Sequence, residues 1–294
     1  MSHRADVHPP AASPWATAGL TLLAMVAFAA NSLLCRAALV GGHADAVSFT
    51  TLRLASGTVV LALLVRLRLG SFPVARPAWG PAAALFGYAI GFSLAYLRIP
   101  AGAGALLLFS AVQLTMIAAG LRAGDRPSAV EWVGFVLSIA GLVVLTHPGL
   151  ARPDPAGAGL MLAAGMAWGL YSLSGRRSQD AILANASGFA YAMPFALVMS
   201  AMAIGGGTAY LRPEGALLAA ASGAITSGLG YAVWYAALRG LTVTRAAIVQ
   251  LSVPPLAATG GVLVLGEPSS VRLVAASALT LGGIALSTLG RRRR

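Results

Sequence analysis

The sequence AGLTLLAMVAFAANSLLCR at residues 18–36 recurs in altered form at residues 158–176, as AGLMLAAGMAWGLYSLSGR. Nine of the nineteen positions are identical, including the pair Ser32 and Ser172 and an arginine at the end of each stretch. Chance matches among Ala, Gly and Leu account for part of this identity, but the serine and arginine pairs are harder to explain in that way. Each stretch is close to the about 20 apolar residues that a helix needs to cross a bilayer. The pair therefore indicates a membrane protein built from a duplicated unit.

Further matches lie at an offset of 142 residues. Six residues of the first half recur there identically, and one aspartate is replaced by a glutamate. The matched pairs are Ala105 and Ala247, Ser110 and Ser252, Leu114 and Leu256, Gly124 and Gly266, Ser128 and Ser270, Gly141 and Gly283, and Asp125 and Glu267. Two related halves follow from these matches. A duplicated protein with a purely structural role is the alternative.

The composition of the chain is that of a membrane protein. Of the 294 residues, 58% are hydrophobic and 10% charged, and the mean hydropathy is +0.81; soluble domains are about half apolar and about a quarter charged. Apolar runs predict ten spans, near residues 15–36, 47–65, 79–97, 100–121, 129–147, 157–175, 187–205, 214–238, 243–264 and 270–289. These runs lack the alternation of barrel strands, so we expect an all-α integral membrane fold.

Five spans in each half is an odd number, so the second half must enter the membrane upside down relative to the first. Two inverted five-helix repeats are the plan of many secondary transporters, which bind substrate near the midplane between the repeats. We expect a cytoplasmic N-terminal tail at residues 1–14, repeats at residues 15–150 and 151–289, and a basic cytoplasmic tail at residues 290–294.

Arginines set the predicted orientation. The two tails and every second loop hold fourteen arginines, and the remaining loops hold five, with Arg53 set aside inside a span. Positive charge favours the cytoplasmic side, so both termini are predicted to be cytoplasmic in a bacterial inner membrane protein. Trp15, Trp79 and Trp132 open odd-numbered spans on that side and are expected to anchor them at the interface.

Several classes of function are disfavoured by the residues present. The net charge of +12 comes from arginines at span ends, so nucleic acid is not an expected partner. Cys35 is the single cysteine, which rules out an intramolecular disulfide and a multi-cysteine metal site. No carboxylate or histidine lies deep in a predicted span, so we expect no enzyme activity, no metal, no cofactor and no proton coupling. The expected partners are a small-molecule substrate and the lipid bilayer, with the chain a monomer or weak dimer.

Short motifs identify a family. They are F-A-x-N-S-L-x-x-R at residues 28–36, Phe49 with Arg53, an alanine–serine pair followed by Gly-Asp within residues 105–125, and P-P-L-x-A with L-G-E-P at residues 254–268. With these motifs in this order, the chain resembles the EamA-type ten-helix exporters of the drug/metabolite transporter superfamily, with the YddG-like aromatic amino acid exporters as the nearest type. The resemblance implies export of amino acids or other small metabolites by alternating access.

The repeats are not equivalent in chemistry. Val112 and Gln113 stand in the first half where the second has Pro254 and Pro255, and the second half has a methionine where the first has Arg53. Two adjacent prolines within a span predict a kink that shapes or gates the site.

Polar and aromatic residues at membrane depth are the candidate substrate contacts, because such groups tend to face a cavity or a partner helix. Three sets share the spacing i, i+3, i+4 of one helix face, namely Phe28, Asn31 and Ser32; Trp168, Tyr171 and Ser172; and Tyr231, Trp234 and Tyr235. The predicted substrate-binding residues are Asn31, Tyr88, Gln113, Trp168, Tyr171, Tyr231 and Trp234. Packing between helices is the competing interpretation of the same residues.

Arg53 has two interpretations. Its guanidinium could reach the membrane interface or hold a nearby loop, or it could attract the carboxylate of a substrate through a charge-assisted hydrogen bond.

The sequence as a whole predicts an exporter of aromatic or large apolar amino acids, with transport driven by the gradient of the substrate itself. A proton-coupled antiporter of other metabolites or drugs, and a structural or receptor protein without transport, are the alternatives.

Overall fold

Ten helices form the described part of the chain in the computed structural model, which covers residues 14–70, 78–122, 124, 128–146, 153–175, 180–238, 240–241 and 249–290. The first five are α1 (Pro14–Val40), α2 (Ala46–Leu69), α3 (Trp79–Tyr96), α4 (Ala101–Arg122) and α5 (Ala129–Thr146). The second five are α6 (Pro155–Gly175), α7 (Ala181–Gly205), α8, α9 (Val253–Leu265) and α10 (Val271–Gly290). Helix α8 combines an α-helical part (Pro213–Ala221), a π-helical part (Ser222–Leu229) and a second α-helical part (Gly230–Leu238).

Membrane-spanning character is clear for most of these helices. Helices α1, α2, α4, α6, α7 and α8 are long and apolar enough to cross a bilayer, and α5, α9 and α10 contain shorter apolar stretches. Large apolar side chains such as Leu67, Leu263 and Met202 are exposed on the outer surface, where lipid tails would cover them. The prediction of an all-α, ten-helix membrane fold is confirmed.

Equivalent helices of the two halves begin with equivalent caps. The carboxylate of Asp45 accepts hydrogen bonds from two main-chain N–H groups at the start of α2, and that of Asp180 does the same at the start of α7. Ser128 caps α5 in a reciprocal pair with Glu131, and Ser270, which matches Ser128 at the offset of 142, accepts from the third residue of the next helix. Such caps satisfy main-chain donors that a helix leaves free.

Several predicted helix boundaries differ from the structure, among them the end of α1 and the start of α7. Helix α1 continues to Val40, so Arg36 lies within the helix and not in the following loop. Helix α7 begins at Ala181, six residues before the predicted start, because the Asp180 cap lets the helix form earlier. Both differences lengthen a helix beyond its most apolar run.

Helices α2 and α7 pair in antiparallel fashion. At one end, the main-chain N–H of Tyr210, beyond the end of α7, donates to Oδ2 of Asp45 over 2.7 Å. At the other end, Arg68 near the end of α2 pairs with Asp180 at 3.1 Å between Nη1 and Oδ1. The two helices hold the second position of each repeat, so the repeats are inverted, as predicted.

Helices α5 and α10 meet across a local twofold relation. The hydroxyl of Ser138 donates to the main-chain oxygen of Thr280 over 3.3 Å, and the hydroxyl of Thr280 donates to the main-chain oxygen of Ser138 over 3.5 Å. Each helix also presents a glycine to the hydroxyl-bearing residue of the other helix. Gly141 lies against Thr280, and Gly283 lies against Ser138. The reciprocity matches the 142-residue offset of the sequence.

The remaining contacts repeat this relation. Helix α3 packs on α6 as α8 packs on α1, and α4 packs on α6 as α9 packs on α1. Between them, α1, α3, α4, α6 and α8 enclose the centre of the bundle.

The chain is interrupted directly before the two prolines of α9, and their role in shaping or gating the site stays a prediction. Val249 and Gln250 are helical, Leu251 and Ser252 form a turn, and α9 starts at Val253 with its prolines in the first turn. A proline in the first turn leaves no helix hydrogen bond unmade, because the N–H groups there have no partner within the helix. These prolines therefore begin a new helix.

Close packing at the α5–α10 interface predicts opposite responses of two adjacent glycines. A Cβ at Gly283 would lie 2.6 Å from the main-chain nitrogen of Ser138, whereas a Cβ at Gly282 would meet no heavy atom within 4 Å. We expect Gly283→Ala to lower the free energy of unfolding by about 1–3 kcal/mol through overpacking. Gly282→Ala should leave it unchanged or raise it by up to about 1 kcal/mol. Thermal unfolding of the purified protein in detergent measures both, and equal midpoints for the two variants would contradict this packing.

Candidate substrate site between the two repeats

An enclosed cavity lies at the centre of the bundle, where both repeats contribute walls. Its volume is about 20 Å³. Helices α1, α3, α4, α6 and α8 line it with Phe28, Asn31, Ser32, Tyr88, Phe92, Leu108, Phe109, Trp168, Thr226 and Tyr231. That volume admits about one water molecule, whereas pockets for small organic ligands usually measure about 300–1,000 Å³.

Aromatic rings account for the small volume. The ring centroid of Trp168 lies 4.8 Å from that of Tyr88, 5.0 Å from that of Tyr231 and 5.6 Å from that of Tyr171. Phe28 completes the cluster, with its centroid 5.9 Å from that of Tyr231. The rings therefore fill the centre of the bundle, because rings that pack on each other regain dispersion contacts that an open space would forfeit. A chamber large enough for a solute stays a prediction.

The polar part of the wall joins α1 to the π-helical part of α8. Oδ1 of Asn31 accepts hydrogen bonds from the hydroxyls of Ser222 at 2.7 Å and Thr226 at 3.1 Å. Nδ2 of Asn31 donates to the hydroxyl of Tyr88 over 3.5 Å. π-helical segments interrupt the regular hydrogen-bond pattern and are frequent at functional sites. Here the segment turns hydroxyl groups of α8 toward the cavity wall.

Arg53 lies behind this wall and is 1% exposed. Its Nη2 donates to the hydroxyl of Tyr88 over 2.8 Å, and its Nε donates to the hydroxyl of Ser227 over 3.3 Å. The guanidinium carbon lies 5.2 Å from the ring centroid of Tyr88 and 5.1 Å from that of Phe92. The interpretation that Arg53 reaches the membrane interface is therefore wrong, since its charge is held inside the bundle.

Four of the seven predicted substrate contacts line the cavity: Asn31, Tyr88, Trp168 and Tyr231. Two more pack behind it. The hydroxyl of Tyr171 donates to Oδ1 of Asn185 over 2.8 Å, and Trp234 contacts Phe28 with a centroid distance of 5.9 Å. Gln113 is buried one helical turn beyond Phe109 on α4 and is not part of the lining.

The hydroxyls of Ser222, Thr226 and Ser227 were missed by the sequence reasoning. They lie in the stretch SGAITSGL. Its small residues predict only a close helix–helix contact, because such residues are typical of those contacts. Only the π-helical geometry brings these side chains to Asn31 and Arg53.

Glu267 closes one end of the bundle, which we call the Arg36 end. Its Oε1 pairs with Nε of Arg36 at 2.7 Å, and its Oε2 accepts from the main-chain N–H of Ala101 over 2.8 Å. Nη1 of Arg36 also donates to the main-chain oxygen of Tyr96 over 2.6 Å. A single carboxylate from the loop after α9 thus ties the last turns of α1 to the start of α4.

Main-chain pairing closes the same end between α2 and α8. The N–H of Asp45 donates to the oxygen of Tyr210 over 3.1 Å, and the N–H of Arg212 donates to the oxygen of His43 over 2.8 Å. The loop after α1 in the first repeat is therefore joined to the loop after α7 in the second.

The opposite end of α1 borders a larger cavity of about 560 Å³, which we call the vestibule. It is lined by Pro14, Thr17, Ala18, Thr21, Leu22, Met25, Gly240, Leu241, Val249 and Ser252. Met25 lines the vestibule and Phe28, one turn further along α1, lines the central cavity. The two cavities thus follow one another along α1.

Comparison with known proteins places this fold in a family. Residues 155–289 match the model of the EamA-like transporter family. Over 269 residues the chain is 54% identical to the uncharacterized protein PA1977 of Pseudomonas aeruginosa, an alignment that covers 91% of this chain and 92% of that protein. The chain belongs to the EamA-like transporter family.

More distant relatives of this EamA-like transporter carry transporter names. A probable terminal-alkyne amino-acid exporter of Streptantibioticus cattleyicolor is 26% identical over 214 residues, which are 67% of this chain and 68% of that protein. The uncharacterized inner membrane transporter YedA of Escherichia coli K12 is 30% identical over 131 residues, 42% of each chain. The resemblance inferred from the motifs is confirmed at the level of the family, and the likeness to YddG-like exporters stays a prediction.

A solved crystal structure shares the fold of this EamA-like transporter. The TM-score is 0.67 at 23% sequence identity, over 94% of this chain and 99% of the other. At that identity the likeness concerns the fold alone.

Removal of the Glu267 carboxylate should loosen the Arg36 end of this EamA-like transporter. Glu267→Gln leaves Arg36 without its counter-charge, and we expect Cys35, which is fully buried beside it, to react several-fold faster with a maleimide. The labelling rate of the purified protein measures this, and the single cysteine of the chain makes the reading unambiguous.

Asp154→Asn is the matched control, because the pair of Asp154 with Arg98 lies at the same end but is half-exposed, at 3.6 Å. Exposed pairs contribute little to stability. Equal labelling rates for Glu267→Gln and Asp154→Asn would show that Glu267 does not hold this end closed.

Proposed function

We propose that this EamA-like transporter exports small organic solutes, in particular amino acids with aromatic or large apolar side chains, by alternating access through the central cavity. The observation that carries the proposal is the position of the aromatic cavity between two inverted repeats, with the Arg36 end closed and the vestibule at the other end. Inverted repeats supply one architecture for two opposite openings. A substrate entering from the vestibule would separate Phe28 from Trp234 and spread the ring cluster around Trp168.

The lining of the cavity supports an aromatic or apolar cargo. Rings of Phe28, Trp168 and Tyr231 offer faces and edges to an aromatic side chain, and Asn31 and Thr226 offer a small number of polar groups that orient a ligand. The name of the Streptantibioticus relative, a probable terminal-alkyne amino-acid exporter, supports an amino acid as the cargo.

We further propose an inner membrane location with both termini cytoplasmic. The arginine distribution supports this orientation, and YedA bears the name of an inner membrane transporter. In this orientation the Arg36 end faces the periplasm and the vestibule faces the cytoplasm, from which an exporter must load its substrate. A monomer suffices for the proposed cycle, since one chain supplies both repeats.

Flux measurements with cavity variants test the assignment of the site. Trp168→Ala and Tyr231→Ala remove rings that would contact the solute, and we expect each to lower the flux of phenylalanine or tryptophan in proteoliposomes by about tenfold or more. Protein yield and thermal stability report whether the variants fold.

Trp132→Ala and Tyr210→Ala are matched controls, because these two rings are nearly half-exposed and lie outside the cavity. They should transport at the native rate. Normal flux of every accepted solute in both cavity variants would show that the cavity assignment is wrong.

Transport is proposed to follow the gradient of the solute itself. Among the described residues, the carboxylates lie beside helix ends, at Asp45, Glu131, Asp154, Asp180, Glu214 and Glu267. Proton-coupled carriers commonly place a titratable group at membrane depth.

We therefore expect no change of internal pH when a solute crosses sealed proteoliposomes that contain a pH-sensitive dye. Liposomes without protein provide the baseline for leakage of the solute. An internal pH change that depends on both protein and solute would favour the proton-coupled alternative.

A further inference from the structure

The guanidinium of Arg53 has no counter-charge among the described residues. Its Nη2 and Nε donate to the neutral hydroxyls of Tyr88 and Ser227. Its Nη1 is buried and has no hydrogen-bond partner in the described part of the chain. None of the ion pairs of that part includes Arg53. A full positive charge with a free donor group therefore lies within the membrane-spanning bundle.

Such a charge is expensive unless something compensates it. A guanidinium carries five N–H donors and no acceptor, and removal of a charge from water without a partner costs several kcal/mol. The rings of Tyr88 and Phe92 attract the cation through their faces, which offsets part of the cost. Intramembrane charged residues usually mark a substrate pathway.

Arg53 is adjacent to the central cavity. Its two ring partners, Tyr88 and Phe92, both line the cavity, and its hydrogen bond to the Tyr88 hydroxyl reaches the same oxygen that accepts from Asn31. A carboxylate that displaced the Tyr88 hydroxyl would meet Nη2 in addition to the free Nη1. Two parallel N–H donors are the geometry in which arginine binds carboxylates best.

We propose that Arg53 binds the carboxylate of the transported solute, while the rings of Phe28, Trp168 and Tyr231 hold its aromatic or apolar part. This inference rests on the function proposed above and narrows its substrate class. No acidic side chain of the described residues lines the cavity, so an ammonium group would find no carboxylate there and only the faces of the rings. The preferred solute is therefore an aryl or apolar carboxylate, and its amino group contributes little to binding.

Four solutes that share one ring system test this class on the native protein. Phenylalanine and 3-phenylpropionate carry the carboxylate, whereas phenylalaninamide and phenethylamine lack it. A charge-assisted hydrogen bond supports a difference of about 10- to 100-fold in affinity. We expect the two carboxylates to bind at least about tenfold more tightly than the two other solutes. Binding to the purified full-length protein and flux in proteoliposomes both measure this preference.

Arg53→Gln is the corresponding variant, with Arg68→Gln as its control. Arg68 lies on the same helix, but it is half-exposed and pairs with Asp180 outside the cavity. Arg53→Gln should weaken the binding of 3-phenylpropionate by about 10- to 100-fold and leave the binding of phenethylamine unchanged. Arg53→Lys keeps the charge without the paired donors, so its affinity for 3-phenylpropionate should lie between those of Arg53→Gln and the native protein. Arg68→Gln should match the native protein for all four solutes.

The outcomes separate this inference from the proposed function. Saturable flux without any preference for carboxylates would overturn the role of Arg53 and leave the exporter intact. Equal loss of all four solutes in a folded Arg53→Gln variant would show a purely structural role. Absence of binding and flux for every solute tried would count against the exporter itself. If Arg53→Gln does not fold, the preference of the native protein decides the question.

Discussion

Antiparallel contact between equivalent helices is the constraint on which this structure depends. Each repeat crosses the membrane an odd number of times, so the second copy is inverted, and α2 and α5 meet their own counterparts α7 and α10 in antiparallel fashion. A surface that packs against an inverted copy of itself must be complementary to itself, which the reciprocal contacts of Ser138 and Thr280 illustrate. Glycines at 141 and 283 let these two helices approach closely. In lipid, where apolar surface gives no net drive for association, such close packing and hydrogen bonds hold the halves together.

This symmetric framework carries asymmetric chemistry at its centre. Phe28 and Trp168 occupy equivalent positions in the two repeats, and both contact the same ring, that of Tyr231. The next pair differs in its partners, because Asn31 bonds to the π-helical part of α8, whereas its counterpart Tyr171 bonds to α7. The buried positive charge likewise belongs to the first repeat alone. The centre of the bundle therefore has one polar and positive side and one aromatic side.

The two ends of the bundle are held by different kinds of force. Charged and main-chain hydrogen bonds link the loops at the Arg36 end, where Glu267 serves two helices with one carboxylate. Toward the vestibule end, Phe28 packs on Trp234, and Met25, one turn earlier on α1, lines the larger cavity. Aromatic contacts yield to an incoming aromatic solute by exchanging one ring neighbour for another, whereas a desolvated ion pair must be broken outright. This difference supports the proposal that solute enters from the vestibule.

The sequence by itself determined the helix count, the inverted duplication and four of the ten residues that line the cavity, because apolar run length, a fixed repeat offset and helical spacing are properties of the chain read in order. It could not place Gln113, the prolines of α9 or the hydroxyls of α8, since each depends on where a helix begins or how its turns are wound. Tertiary structure alone decided that Arg53 points into the bundle and that Glu267 reaches Arg36, 231 residues away. The physical reason is that a charged side chain on a membrane helix can point to the interface, to a neighbouring helix or into a cavity. The packing of the other helices decides which of these positions it takes.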